Sequence, residues 1–501
     1  MKIEIIKIKE PKLEFGNKVT SPFIKEALLK GCGPFESNFY ENIKNINLGI
    51  VTLPDKLESI IHWVETLDTA ILSDEKNILK YPEFLGTGKM LKCKFVINQK
   101  HIKILNPKKY EQLLLISQRH KFTALLELYT EQIESLYGDN KPDCILVYFP
   151  EEIASLRVAN SKLSIAERTY LERVSQEDDQ EQLQLFELSP EEKKLAEELL
   201  PQADELLFRS FHRALKAKSM SMPNCVPLQI IRERTFEPDS TVQSLSTIAW
   251  NISLGLYYKS GNIPWRLNDI SADTCFVGIS FHHLKKRGGD IVYASVAQAF
   301  SSTGEGFALK GANIPKDQRR HKRPYLLEEQ AKDLIEKVVN DYKMRNGNLP
   351  TRIVVHKTSK YEIEEERGIL SALEKIVPRC ELVWFSPSPF RLLKRGQQPP
   401  ERGTLCILED QEHFLFTTGY IPQWREYPGP HIPSPIQIGA NEDVDIVQAA
   451  KEILALTKMN WNSSDGIGRF PITLSFARRV GMIMTELEEE QIPNPSYRFY
   501  M

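Results

Sequence analysis

FHRALKAKSMSMPNCVPLQIIRERTFEPDSTVQSLSTIAWNISLGLYYKSGNIPW, residues 211–265, is the stretch whose reading decides the fold. In FHRALKAK, His212 and Lys216 stand four apart and share one face of a helix. MPNCVPLQII is a Pro-punctuated entry into a short apolar β-type run, with one polar residue, Gln229, among Val226, Leu228, Ile230 and Ile231. STIAWNISLGLYYK is an apolar helix, and Lys259 followed by Gly261 is a helix-stop signal. Two helices and the segment between them thus deliver a His–Lys pair, an amide and a second lysine. A phosphate monoester carries roughly −1.5 to −2 charge near neutral pH. Two lysines neutralise it, while imidazole and amide add directed hydrogen bonds. Spacing alone leaves the ordinary alternative open, because lysines near helix C-termini serve the helix dipole and an i, i+4 His–Lys pair is usually a solvated face.

The order of these elements resembles the MID domain of the Argonaute family, whose matching residues hold the 5′ phosphate of a guide strand. LYYKSGNIPW is similar to the family's K-x-G-G-x-P-W run, with Asn262 in place of the second glycine. The resemblance implies that His212, Lys216, Gln229 and Lys259 form a guide 5′-phosphate site. It also implies that the chain end, SYRFYM, turns back toward that site. The Met501 carboxylate would then help hold a Mg²⁺ ion at the guide phosphate. The aromatic density of Tyr497, Phe499 and Tyr500 favours docking over a frayed tail.

At 501 residues the chain is too long for one ordinary core, so two or three domains are expected. Lys plus Arg number 65 against 67 Asp plus Glu, which excludes a uniformly basic protein and confines any nucleic-acid surface to a local patch. Cysteines at 32, 93, 144, 225, 275, 380 and 406 are scattered without CxxC spacing, so neighbours cannot build a metal knuckle. Reduced thiols in a cytoplasm fit this pattern best. The N-terminus lacks a signal peptide's apolar region, and no run of 18 apolar residues offers a membrane span.

Residues 1–45 read as an extended lead; EPKLEFG followed by GPF resembles the opening of short prokaryotic Argonautes. From 46 to 265, NLGIVTL, KCKFVI and CILVYF are strands alternating with helices, including a long one from about Lys109 to Tyr137. That order predicts an α/β fold with a parallel, Rossmann-like sheet. No GxGxxG follows the first strand, which leaves a dinucleotide site without support. Residues 155–205 are acidic and charge-dense, read as a solvated helical insertion or a partner-docking element.

Residues 266–501 start with strands at 274–283, 290–302 and 306–311, then alternate helix and strand through RIVVHKTS and CELVWFSPS. Strands first, then βαβ, is the order of a ribonuclease-H-like fold, and it resembles the PIWI domain. In active PIWI domains two-metal chemistry rests on clustered carboxylates. By the resemblance, Ser280 in VGIS and Thr358 in HKTS occupy two of the metal-anchoring positions. Serine and threonine are weak neutral ligands for Mg²⁺. Glu305 matches the family's mobile glutamate only loosely and reads more simply as a turn residue, and His282, His283 and His356 read as ordinary strand-end histidines. Arg319, Arg320, Lys322 and Arg323 of QRRHKR, with Arg478 and Arg479 on a helix after a Pro-anchored strand, are candidates for neutralising a nucleic-acid backbone.

The whole chain resembles a short prokaryotic Argonaute, MID followed by PIWI. What this implies is a non-cutting protein that holds a short guide, usually RNA, and pairs it with complementary DNA. Output would fall to a separate effector chain carrying an APAZ region with a TIR, sirtuin-like or nuclease domain, in defence against plasmids or phage. The rival readings are a guide-directed endonuclease with unconventional metal ligands and a plain α/β scaffold with an incidental basic face.

Overall fold

The computed structural model describes residues 3–159, 208–238, 243–268, 270, 273–285, 291–301, 306–314, 318–320, 323–386, 388–393, 399–409, 412–427, 432–487 and 491–501. For 282–285, 291–301, 310, 312, 313, 319, 320, 323 and 478 the backbone alone is described. The acidic 155–205 stretch from residue 160 onward, Glu305 and Lys322 lie outside the described residues.

Residues 44–231 build a four-stranded parallel sheet in the spatial order Cys93–Ile104, Lys44–Thr52, Cys144–Tyr148, Leu228–Ile231. CILVY is buried at every position, as a strand covered on both faces must be. Alternate residues feed different cores. Val51, Ile145 and Val147 pack against the helices Gln118–Glu134 and Phe211–Met220, whereas Leu48, Ile50, Leu146 and Tyr148 join Ile60, Trp63, Trp250 and Leu254 on the opposite face. The doubly wound, Rossmann-like arrangement expected from the alternating pattern is present.

A nine-stranded mixed sheet follows, in the order Ile3–Lys7, Thr404–Leu408, His413–Leu415, Ile436–Ala440, Arg379–Ser386, Arg352–Lys357, Thr274–Lys285, Ile291–Ser301, Gly306–Ile314. Thr274–Lys285, Arg352–Lys357 and Arg379–Ser386 run parallel, and the strands beyond them pair antiparallel. This is the ribonuclease-H-like order. Helices Glu328–Asn346 and Ile363–Leu373 cover one face through Leu334, Val338 and Ile369, and Ile472–Met484 packs on the other. There Gly278 is required: a β-carbon would lie 2.1 Å from the Thr473 carbonyl oxygen.

The two sheets share a continuous core that runs through Trp265, Trp461 and Tyr258, the last two rings stacked with centroids 4.0 Å apart. The lead contributes to it through Leu13, Phe15 and Ile24. Glu10 is partly buried where the lead crosses the second sheet, and the buried Arg402 and Lys458 close on it.

Three local expectations need correction. The helix read from Lys109 to Tyr137 is two, Pro107–Leu114 and Gln118–Glu134, because Ser117 sits at the N-cap of the second and leucines continue through the break. The strand Ile436–Ala440, too short at five residues to stand out among the flanking prolines, joins Arg379–Ser386 to His413–Leu415. No strand precedes Arg479: Pro471 is itself the N-cap of Ile472–Met484.

Candidate anion-binding site

The helix Phe211–Met220 is fixed by its first residue. The Phe211 ring meets Phe122, Tyr129 and Phe149 at 5.6, 5.5 and 5.3 Å, edge-to-face. Behind the helix start, Glu486 accepts from Ser210 N (3.2 Å) and Arg209 Nε (2.8 Å), tying this end to the close of Ile472–Met484. His212 and Lys216 then project from one face, as their spacing requires.

Lys259 ends the helix Leu245–Lys259 and is 2 % exposed. Its ammonium donates to the Leu228 carbonyl (2.9 Å) and to Gln229 Oε1 (2.7 Å), while Gln229 Nε2 donates to the Ile230 carbonyl (3.0 Å). Gln229 therefore orients a lysine. Asn262 Nδ2 donates to the Tyr257 carbonyl (3.2 Å), and its Oδ1 accepts from Lys44 Nζ (2.6 Å), which pins the helix end to the first strand. Gly261 has φ +90°, and a β-carbon there would lie 2.9 Å from the Arg498 guanidinium. Gly261→Ala is expected to lower stability by about 1–2 kcal/mol through strain and this collision. A denaturant midpoint unchanged from the parent chain would contradict the packing described.

The tail reaches the same place. Tyr497 packs against Phe476, Trp461 and Tyr258, and Lys216 Nζ donates to the main-chain oxygen of Met501. A cavity of about 360 Å³ results, lined by His212, Lys216, Gln229, Lys259 and Met501 together with Arg213, Arg479 and Asn462. All five residues assigned to the phosphate site border one space. No Asp or Glu is among its lining residues.

Charge in this space is crowded. Burial, then the neighbouring cations Lys259 and Arg479, push the Lys216 ammonium well below the ordinary lysine range. Burial lowers Lys259 to about 8, with Arg479 adding to the effect and Cys144 opposing it. Burial, Lys216 and Lys259 hold His212 well below the usual imidazole value, so it faces the cavity neutral. Arg213 is offset by Glu486 at 3.6 Å. Three cations therefore converge on a half-open cavity that holds no carboxylate side chain, an arrangement an anionic ligand would relieve.

Arg479 belongs to this cavity, whereas the sequence placed it with Arg478 along a nucleic-acid backbone. It arrives from more than 200 residues away, and the only local signal is helical spacing that puts Arg479, Met482 and Ile483 on one face. The side chain of Arg478 is outside the described residues. Within and just beyond QRRHKR, the backbone of Arg319–Arg320 pairs antiparallel with Arg323–Pro324.

A resident Mg²⁺ does not suit this donor set. One oxygen of the Met501 carboxylate already accepts from Lys216 and the other charged groups on the walls are cations, which leaves a Mg²⁺ ion only the remaining carboxylate oxygen and neutral amide oxygens from the protein. Among the described residues no group of three or more His, Cys, Asp or Glu could hold a metal.

In the second sheet, Ile279 and Lys357 are register partners on parallel strands; Ser280 follows within Thr274–Lys285, where it pairs with Val296, and Thr358 stands just past the end of Arg352–Lys357. His356 is buried with Nδ1 2.8 Å from Thr473 Oγ1, and burial lowers it to about 3. It is a core histidine. Lys357 beside it is buried in an ion pair with Glu365. The side chains of His282 and His283 are not described.

Neither a protein-family model nor a curated protein matches this sequence. Solved structures do match in fold. Clostridium butyricum Argonaute bound to a guide DNA and a 19-mer target DNA aligns over 98% of this chain and 54% of its own, with TM-score 0.60 at 16% identity. Aquifex aeolicus Argonaute aligns over 98% of this chain and 55% of its own, with TM-score 0.54 at 16% identity. Argonaute of the same organism with externally bound siRNA aligns over 99% and 56%, with TM-score 0.56 at 15% identity. The chain spans about half the length of the solved structures it matches, and its fold is the one those Argonaute proteins have in their MID and PIWI regions.

Proposed function

We propose that the chain is the guide-binding subunit of a short Argonaute. It holds a 5′-phosphorylated guide, RNA by resemblance, in the 211–265 cavity and pairs it with complementary DNA without cutting. The observation that carries this reading is the convergence of Lys216, Lys259 and Arg479 on one cavity whose lining includes no Asp or Glu. Such a space suits a terminal phosphate, whose charge is compact and whose oxygens each accept hydrogen bonds. The solved neighbours described as bound to guide and target DNA or to siRNA make nucleic acid the natural bearer of that phosphate. The phosphate charge is neutralised by Lys216, Lys259 and Arg479.

Ser280 and Thr358, each one residue beyond the register pair Ile279–Lys357, give the second domain two neutral ligands where two Mg²⁺ ions would need several carboxylates. Target recognition would therefore be reported by a separate effector chain in defence against foreign DNA. Purified chain, 5′-phosphorylated guide and labelled complementary DNA, incubated with Mg²⁺ or Mn²⁺, are expected to give a filter-binding signal and no cleaved product on a denaturing gel. Product at one position that moves with the guide would replace this reading with the endonuclease.

The depressed lysines add a pH dependence. A bound phosphate raises them back toward the ordinary lysine range, so binding takes up protons wherever the empty site has lost them. Affinity for a 5′-phosphorylated guide should fall as pH rises above the Lys259 value of about 8, by up to about tenfold per unit for each proton taken up. A 5′-hydroxyl guide should show a flat profile. Calorimetry at pH 8.5 in buffers of different ionisation enthalpy counts the protons, and zero uptake would contradict the assignment.

A further inference from the structure

The edge of the nine-stranded sheet is open on the side of Ile3–Lys7. Among the described residues that strand pairs with Thr404–Leu408 alone, and it carries neither proline nor bulge. Ile3 is 38 % and Ile5 56 % exposed, interleaved with the exposed charges Glu4 and Lys7, on an edge that proteins often blunt with proline or a covering element. Beneath the strand lies a groove of about 530 Å³ whose apolar floor is Ile6, Ile8, Ile270, Val447 and Ala455.

The rim has one sign of free charge. Glu10 is taken by Arg402 and Lys458, and Glu452 by Arg352, all within the protein. Lys9, Lys12 and Lys451 line the groove exposed, and none has an ion pair among the described residues.

We infer that this edge and groove dock a partner chain through an extended segment that pairs with Ile3–Lys7, sets apolar side chains on the groove floor and presents carboxylates to Lys9, Lys12 and Lys451. Main-chain hydrogen bonds along the open edge supply the pairing, and the lysine rim selects an acidic strand. The inference uses no residue of the anion cavity and stands apart from the guide reading.

The test uses the full chain and a labelled ten-residue peptide of alternating Val and Glu, beside its Val/Lys counterpart. Fluorescence anisotropy is expected to show binding of the acidic peptide only, and hydrogen exchange at Glu4–Lys7 is expected to slow when it binds. Lys9→Glu/Lys12→Glu/Lys451→Glu should weaken binding about tenfold or more, since three exposed charge pairs are lost and reversed. Affinity for a 5′-phosphorylated oligonucleotide should not change in this variant, so failure here and failure of the guide reading are separable. Equal binding of both peptides, no effect of the charge reversal, or no protection at residues 4–7 would each overturn the proposal. Concentration-dependent dimerisation that protects the same amides without peptide would assign the edge to a second copy instead and would also overturn it.

Discussion

Lys216→Ala and Lys259→Ala are each expected to weaken a 5′-phosphorylated guide by about tenfold to a hundredfold, the loss of a charge-assisted hydrogen bond worth roughly 1.5–3 kcal/mol. The two should not be equivalent in the empty protein. Lys216 is spent on the Met501 oxygen, so its removal also frees the tail. Lys259 is spent on the Leu228 carbonyl and Gln229 Oε1, so its removal leaves a buried amide oxygen without its donor. Both lysines are buried at a cost, and replacing either with alanine relieves the other. Stability should therefore change less than affinity does. A 5′-hydroxyl guide should lose little in either variant, and equal losses for both guides would remove the phosphate assignment.

Arg402→Ala is expected to destabilise the chain by about 3–5 kcal/mol, because a buried charge is left under-compensated when its partner is removed. Arg402 Nε lies 3.1 Å from both Glu10 carboxylate oxygens, and its terminal nitrogens donate to the Thr417 and Leu454 carbonyls and to Thr457. Burial alone would raise the Glu10 carboxyl, and Arg402 and Lys458 more than reverse this. A carboxyl held low in the folded state contributes stability above its unfolded value near 4.5 and loses it as pH falls through the folded value. Chemical denaturation should thus show the largest gap between parent and variant near neutral pH, narrowing in acid. A gap below 1 kcal/mol at pH 7 would mean that the lead is not held by this triad.

Much of this was legible in the sequence where the signal is local. Helical spacing placed His212 with Lys216, the apolar run of LQII gave a buried strand, and Lys259 before Gly261 marked a helix end. The ribonuclease-H-like strand order followed from period and turn residues alone. What escaped has no local signature. Arg479 and Asn462 reach the cavity only through the packing of the second domain on the first, and Ile3–Lys7 pairs with residues some 400 positions away. Gln229 reads as a ligand-facing amide; it lines the cavity and, by accepting from Lys259, also aims that lysine. This second role depends on what its amide oxygen meets, which spacing does not encode.

The central claim is that the 211–265 cavity binds a terminal phosphate. Its most direct test is the affinity of the unmodified chain for one oligonucleotide prepared with a 5′ phosphate and with a 5′ hydroxyl, measured at pH 7 and fixed salt. The cavity predicts at least about tenfold tighter binding of the phosphorylated strand, and equal affinity for the two would contradict it.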